Sequence, residues 1–361
     1  MHRAYLLMFL GNIGISLSSL FIPLLARELG LSFTELGMIG MAYGAASVLS
    51  YSLFGHLSDV TRRRVPFVRL GLALAASAFT AQILMRDLLT MIAIRWLAGF
   101  AVGVFSFPLL AHLAGRFGYQ KRIGWFAASG SLGWFAGYIA AGLLRSWVLA
   151  FLSSGLSFCL ALALSLFLKE SREPKVYLRS FWKVIKENSV VYASYLLRHT
   201  GAHAIWIVFP LFLIEKLGAS LLWVGVLMAL NTGSQFFFMG LIGRTAEPDE
   251  GRRLLRLGLL LSTVVFVSYY FSSYYLQLVP VQLLLGVAWS SLYVGSLLHL
   301  VEKNVERATS TGALGSTISL ATMIGPFLGG LISEIFGMRA VFLVASALTL
   351  AGLVLSKRMT N

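Results

Sequence analysis

SYSLFGHLSDVTRRRVPFV, Ser50–Val68, gathers charge between two walls of hydrocarbon. Asp59 follows Gly55 by four residues, and Arg62, Arg63 and Arg64 come directly after Val60 and Thr61. Such clusters are rare in this chain. Of its 361 residues 58% are hydrophobic and 12% charged, with a mean hydropathy of +0.82. A soluble domain carries about 25% charged residues. Half that share leaves too little polar surface to cover a water-exposed globule, so lipid is the solvent for most of the chain.

Crossing about 30 Å of hydrocarbon takes about 20 apolar residues in a helix. Twelve segments meet that rule: 4–25, 35–55, 66–85, 88–111, 124–144, 147–168, 189–214, 221–243, 255–273, 278–300, 310–333 and 338–356. Lipid offers the backbone no hydrogen-bond partner, so each segment must close its own bonds as a helix. The first has a basic tip and an apolar run longer than the roughly 7–15 residues of a cleaved signal. It reads as a retained membrane helix. The single Cys159 excludes a disulfide framework within one chain.

The net charge of +15 is explained by where the cations fall. With a cytoplasmic N-terminus, 22 of the 29 Lys and Arg lie in inside loops and 5 outside. Arg95 and Arg198 lie within helices. Cytoplasmic loops carry the basic excess. Both termini are therefore expected inside, in a cell membrane, and no nucleic-acid partner is needed to account for the charge.

The longest polar interval, Lys169–Asn188, divides the segments six and six. Residues 1–168 and 189–361 form the expected halves, joined by the 169–188 linker. Within it Arg179, Lys183 and Lys186 share one helical face and Phe181, Trp182 and Ile185 another. That pattern predicts an amphipathic helix on the inner leaflet. The halves echo each other. GHLSDVTRRR follows the second segment and GLIGRTAEPDEGRRLLR the eighth, and such repeats are typical of secondary transporters.

Three motifs carry a resemblance. Gly55, Leu57, Asp59, Arg63 and Arg64 fit G-x-L-a-D-r-x-G-r-r, with Val60 and Arg62 departing from it. Arg95, Gly99 and Gly103 fit R-x-x-x-G-x-x-x-G, and Gly325, Pro326, Gly329 and Gly330 fit G-P-x-x-G-G. On these the chain resembles the major facilitator superfamily over essentially its whole length. The resemblance implies an all-α polytopic membrane fold of about twelve helices in two pseudo-symmetric six-helix bundles. It also implies alternating access, gated by Gly55, Asp59, Arg63, Arg64, Gly325 and Pro326. The loop after the second helix would latch onto the start of the eleventh, Glu306–Ser316. The physical reading agrees: Gly55 permits close helix approach, and Asp59 suits the positive end of a helix dipole. In the fifth helix Gly130, Gly133 and Gly137 are present, but Trp134 stands where the family's antiporters carry proline. That departure weakens an antiport assignment.

Polar groups deep in hydrocarbon are costly, so each is a functional candidate. The substrate-binding candidates are Asn12, Tyr43, Arg95, Trp134, Arg198, His203, Trp206, Asn231, Gln235 and Trp289. His199, His203 and Trp206 share one helical face. His199 and His203 are also candidates for proton coupling, since imidazole titrates near physiological pH. His112 and His299 lie nearer the cytoplasmic ends and read as gate or interface residues. All 14 acids fall in loops or at helix ends, so no carboxylate neutralises Arg95 or Arg198 at mid-depth. These guanidinium groups either await an anion or are satisfied by backbone carbonyls and water. The expected cavity is electropositive and favours anionic or neutral polar solutes over cations.

The expected function is secondary transport of a small solute by alternating access, most readily efflux of a drug-like or metabolite molecule. The alternatives are uptake or exchange of an organic anion, or a non-transporting sensor on the same scaffold. No enzymatic cluster, nucleotide motif, cofactor or metal site is expected. A gradient supplies the energy, with a proton or other ion as a possible coupling partner, and a monomer in the lipid bilayer is expected.

Overall fold

The computed structural model describes residues 2–61, 63–114, 119–170, 181–304 and 307–359. Twelve long helices and one short one fill it. They are α1 (His2–Glu28), α2 (Phe33–Thr61), α3 (Val65–Thr80), α4 (Leu88–Ala114), α5 (Tyr119–Leu144), α6 (Trp147–Ser165) and α7 (Phe181–Glu187). Then come α8 (Ser189–Leu211), α9 (Leu221–Thr245), α10 (Gly251–Phe271), α11 (Leu278–Lys303), α12 (Arg307–Phe336) and α13 (Met338–Ser356). Eleven of the long helices are apolar and long enough to cross a membrane. The twelfth, α5, has 26 residues and an apolar stretch over Ala128–Leu144.

Local chemistry sets the helix ends. Before α2 the sequence Ser32-Phe33-Thr34-Glu35 makes a capping box: the Ser32 amide donates to Glu35 Oε2 at 2.8 Å and the Glu35 amide to Ser32 Oγ at 3.2 Å. Before α4 the Thr90 amide donates to Asp87 Oδ1 at 2.8 Å, which holds the Asp87 carboxyl below its usual range. Pro66 opens α3. Glu170 closes that same helix end from outside, accepting from the amides of Arg64 at 3.0 Å and Val65 at 3.1 Å.

The two halves repeat each other's contacts. Arg69 of α3 donates to the carbonyls of Ser165 and Leu166 at the end of α6, at 3.3 and 3.1 Å. Arg256 of α10, the third long helix of its half, donates to Ser356 O at the end of α13, at 3.0 Å. A cation at a helix C-terminus also complements the dipole. In the first half α2 packs along α4, and in the second α9 packs along α11. In both, a glycine of the later helix, Gly103 or Gly286, faces a serine of the earlier, Ser50 or Ser234, too closely to admit a Cβ.

The halves meet along two seams, α2 with α12 and α5 with α9. Both seams are tight at the end away from the chain termini, the far face. A Cβ on Gly44 would lie 2.6 Å from Met323 Cα, one on Gly40 2.5 Å from Pro326 Cβ, and one on Gly142 3.2 Å from Leu222 Cα. Polar contacts reinforce this end. The Phe33 amide donates to Glu334 Oε2 at 2.7 Å, and Arg27 pairs with Glu215 at 3.6 Å. One apolar cluster here takes residues from both halves, among them Leu20, Leu36, Phe151, Phe209 and Phe342. Toward the terminal face the core splits. One cluster, with Leu7, Leu72 and Phe105, belongs to the first half, and another, with Tyr195, Leu259 and Leu292, to the second. Along the same seam stripes of α9 and α12, a Cβ on Gly240, Gly243, Gly312 or Gly315 meets nothing within 4 Å among the described residues. Among the described residues the halves are closed on the far face and parted on the terminal face.

Of the linker, residues 171–180, with Arg179, lie outside the described residues. The short α7 buries Val184 and leaves Lys183 and Lys186 exposed, with Trp182 75% exposed. Asn188 and Asn304, both buried, exchange two amide hydrogen bonds at 2.8 and 3.2 Å. They pin the entry of α8 to the exit of α11.

The seam can be tested by size. Gly44→Leu should cost about 1–3 kcal/mol through overpacking. Gly240→Ala should be neutral or stabilising by about 0.5–1 kcal/mol, since alanine is the better helix former. Unfolding in detergent checks both, and equal losses at the two positions would contradict a seam confined to the far face.

Candidate substrate site between the halves

Arg95 enters the site from α4. The glycines that follow it at one-turn spacing face α2, and a Cβ on Gly99 would lie 2.9 Å from the Tyr43 carbonyl carbon. This close approach brings the Tyr43 ring under the guanidinium, 4.1 Å from its central carbon. Arg95 is 7% exposed, and its Nε and Nη1 have no hydrogen-bond partner among the described residues. A desolvated cation–π contact is worth about 2 kcal/mol. Each buried unsatisfied donor costs about 1–3 kcal/mol, more on a charged group. The ring therefore offsets only part of the cost of this burial.

Arg198 of α8 is in a different condition. It is 2% exposed, donates from Nε to Ser262 Oγ at 3.0 Å, and meets His199 Nδ1 at 3.4 Å. Its guanidinium carbon lies 5.2 Å from the Trp289 ring and 5.5 Å from that of Phe266. Guanidinium only donates, so His199 Nδ1 accepts and carries no proton. Thr322 donates its hydroxyl proton to Ile318 O at 3.0 Å, so at 3.2 Å it accepts from His203 Nε2. The two histidine rings are 5.5 Å apart, and His199 lies against Tyr195 at 4.8 Å and Trp289 at 4.5 Å.

These contacts form one band across the molecule. Arg95 covers Tyr43; the next residue, Gly44, abuts Thr322 and Met323; Thr322 bonds His203; His203 adjoins His199; and His199 meets Arg198. The two arginines thus flank the α2–α12 seam.

The remaining candidates are placed apart from that band or beside it. Trp289 stacks on Tyr293 at 5.7 Å and screens Arg198. Gln235 Nε2 donates to Asn231 Oδ1 at 3.0 Å on α9, and Ser290 of α11 donates to Gln235 O at 3.3 Å. Asn12 is buried where α1 packs on Gly130 and Gly133 of α5. Trp134 lies 5.4 Å from Tyr138, and Trp206 lies edge-on to Phe209 at 5.7 Å. His112 and His299 are buried on α4 and α11.

Of the gating candidates, Gly55 lies against the Phe107 ring, and Arg63 is exposed. The Asp59 side chain and Glu306 lie outside the described residues. Gly325 packs α12 on Thr200 and His203 of α8, while Pro326 packs it on Gly40 of α2. Sequence reasoning missed Thr322 and Ser262. Thr322 sits one turn before Pro326, the signal that could have raised it; Ser262, in an apolar run, has none.

The sequence matches the model of the Major Facilitator Superfamily over residues 4–197 and 191–359. The MFS-type transporter ppzB of Metarhizium rileyi (strain RCEF 4871) is 30% identical over 124 residues, which are 34% of this chain and 26% of that protein. The match thus spans about a quarter of that curated relative's length. Three crystal structures share the fold. The human organic anion transporter MFSD10 (TETRAN) superimposes with a TM-score of 0.75 at 20% identity, over 98% of this chain and 99% of that one. A bacterial homologue of the human lysosomal transporter Spinster, inward-facing and unoccupied, gives 0.78 at 14%, over 98% and 95%. The nucleoside transporter NupG gives 0.71 at 14%, over 99% and 100%. A family match along nearly the whole chain, on twelve long helices that repeat six and six, leads to one conclusion: the chain belongs to the Major Facilitator Superfamily.

Proposed function

We propose that this protein is a secondary transporter that carries small organic anions across the cell membrane by alternating access, with Arg95 as the anion-binding group. The observation that carries the reading is the pair of buried donors, Nε and Nη1, without a partner among the described residues, on a guanidinium stacked over Tyr43. An anion supplies what these donors lack, and charge-assisted bonds to guanidinium are about twice as strong as neutral ones. Among the described residues the carboxylates sit at helix ends or in loops, away from this band. The organic anion transporter among the structural neighbours supports the same class.

The basic excess of its loops makes the terminal face cytoplasmic. The parted state then loads from the cytoplasm, which favours export. Residues 1–168 and 189–361 act as the two moving bundles and 169–188 as their tether. When the cytoplasmic side closes, Gly55, Asp59, Arg63 and Arg64 meet the start of α12. Gly325 and Pro326 keep α12 close to both α8 and α2 throughout, as the pivot. His199 and His203 serve as supports: one accepts from Arg198, and the other ties α8 to α12 through Thr322.

Two outcomes follow for purified protein in liposomes. Arg95→Ala should weaken stabilisation and transport of benzenesulfonate by about ten- to a hundredfold, the value of a lost charged hydrogen bond of about 1.5–3 kcal/mol. Intact anion flux in that variant, with organic cations as better substrates, would sink the assignment. His203→Gln keeps a donor for Thr322, so benzenesulfonate flux between about pH 6 and 8 should follow the same profile in variant and parent, this range spanning the ordinary imidazole pKa. A pH slope abolished by the substitution would make His203 a proton carrier instead.

A further inference from the structure

Away from the site between the halves, a groove runs along one face of α13. It is lined by Ala347, Leu350, Ala351, Val354, Leu355 and Arg358 and has a volume of about 490 Å³. Small-ligand sites span about 300–1,000 Å³. From Ala347 to Arg358 the helix rises about 16 Å, at about 1.5 Å per residue. Half of a hydrocarbon core of about 30 Å is about 15 Å. The groove is therefore about one leaflet deep, apolar along its length and cationic at the terminal-face end. We propose that it binds one anionic phospholipid of the leaflet on the terminal face, with an acyl chain laid along α13 and the phosphate at Arg358.

The first half contains a matched helix without these features. α6 and α13 are both 19 residues long. Their last residues, Ser165 and Ser356, each donate the hydroxyl to the carbonyl three positions back at 2.6 Å. Each serine carbonyl accepts from an arginine, Arg69 or Arg256. Aligned on these serines, Leu156 and Leu160 of α6 stand where α13 has Ala347 and Ala351, and Phe167 stands where it has Arg358. All six are exposed. Trimming two leucines to alanine opens a channel for a hydrocarbon chain, and replacing a phenyl ring by guanidinium sets a charge at its mouth.

The surroundings of that mouth favour an anion. Arg252 donates to Met359 O at 3.5 Å and Arg256 to Ser356 O at 3.0 Å, which brings both near Arg358 and the exposed Lys357. None of these four cations makes an ion pair among the described residues, and Arg256 Nε is buried with no acceptor there. At the matching end of α6 an acid is already in place, Glu170, bonded to the start of α3. Basic pockets between helices at the membrane surface hold acidic headgroups. A zwitterionic lipid carries its own cation, which cancels much of that attraction.

Native mass spectrometry of the full chain in detergent, titrated separately with dioleoyl phosphatidylglycerol and dioleoyl phosphatidylcholine, tests the site. Wild-type protein should take up one phosphatidylglycerol in a saturable step, at least about fivefold tighter than phosphatidylcholine. Arg358→Gln should weaken phosphatidylglycerol by about fivefold, the worth of one cation near an anionic surface, and leave phosphatidylcholine unchanged. Ala351→Leu, which restores the bulk present at Leu160, should weaken phosphatidylglycerol by a similar factor. Both positions face outward, and an unchanged melting temperature without lipid shows that the variants fold. Equal affinity for the two lipids, a preference that survives Arg358→Gln, or binding that Ala351→Leu leaves intact would overturn the proposal. So would a dimer in lipid-free protein that Ala351→Leu dissociates, since a second copy would then fill the groove. No transported solute enters the measurement, so its failure leaves the anion reading standing.

Discussion

The architecture depends on how closely four helices can approach at one end of the bundle. Between α2 and α12, and between α5 and α9, backbone meets backbone because glycine occupies the contact points. In lipid there is little hydrophobic drive between helices, so close packing and hydrogen bonds must supply the attraction. Here both occur on the far face, where Glu334 caps α2 across the boundary and a single apolar cluster joins the halves. The exposed Arg27–Glu215 pair adds little, since surface pairs are worth about 0–1 kcal/mol. Away from this end each half keeps its own core. A molecule built this way can rock about the seam without disturbing the packing inside either half.

The band of polar contacts lies where the seam gives out. Gly44 is the hinge between the two chemistries: its neighbour Tyr43 supports Arg95, and its own contact is with Thr322, the partner of His203. A movement of α12 against α2 is therefore felt at once on both sides of the site. The two arginines show that burial alone does not identify a ligand group. Both are nearly inaccessible, but Nε and Nη1 of Arg198 are engaged inside its own half, and the same atoms of Arg95 have no partner among the described residues.

Much of the fold was legible in the residues. Segment 338–356 is α13 to the residue, and 147–168 differs from α6 only where the chain unwinds after Ser165. Hydrophobic length is a strong signal because lipid leaves the backbone no alternative to the helix. The Ser32–Glu35 capping box could likewise be read directly. The partners of the arginines could not. Nothing in the run around Ser262 distinguishes it from other serines, and its meeting with Arg198 depends on how α10 rotates against α8. The carboxylate that caps α3 is another instance: it is Glu170, more than a hundred positions along the chain. Spacing along one helix predicts a face, but which neighbour that face meets is decided by tertiary packing.

The central claim is that the halves part and close on the cytoplasmic face while the seam persists. The most direct measurement is the distance between spin labels at Thr61→Cys, at the end of α2, and Lys303→Cys, at the end of α11, in a Cys159→Ser background. All three positions are exposed. Without ligand the account predicts a single long-distance population, and with benzenesulfonate a second, shorter one. A short distance in the absence of ligand, or a distribution that ligand leaves unchanged, would contradict it.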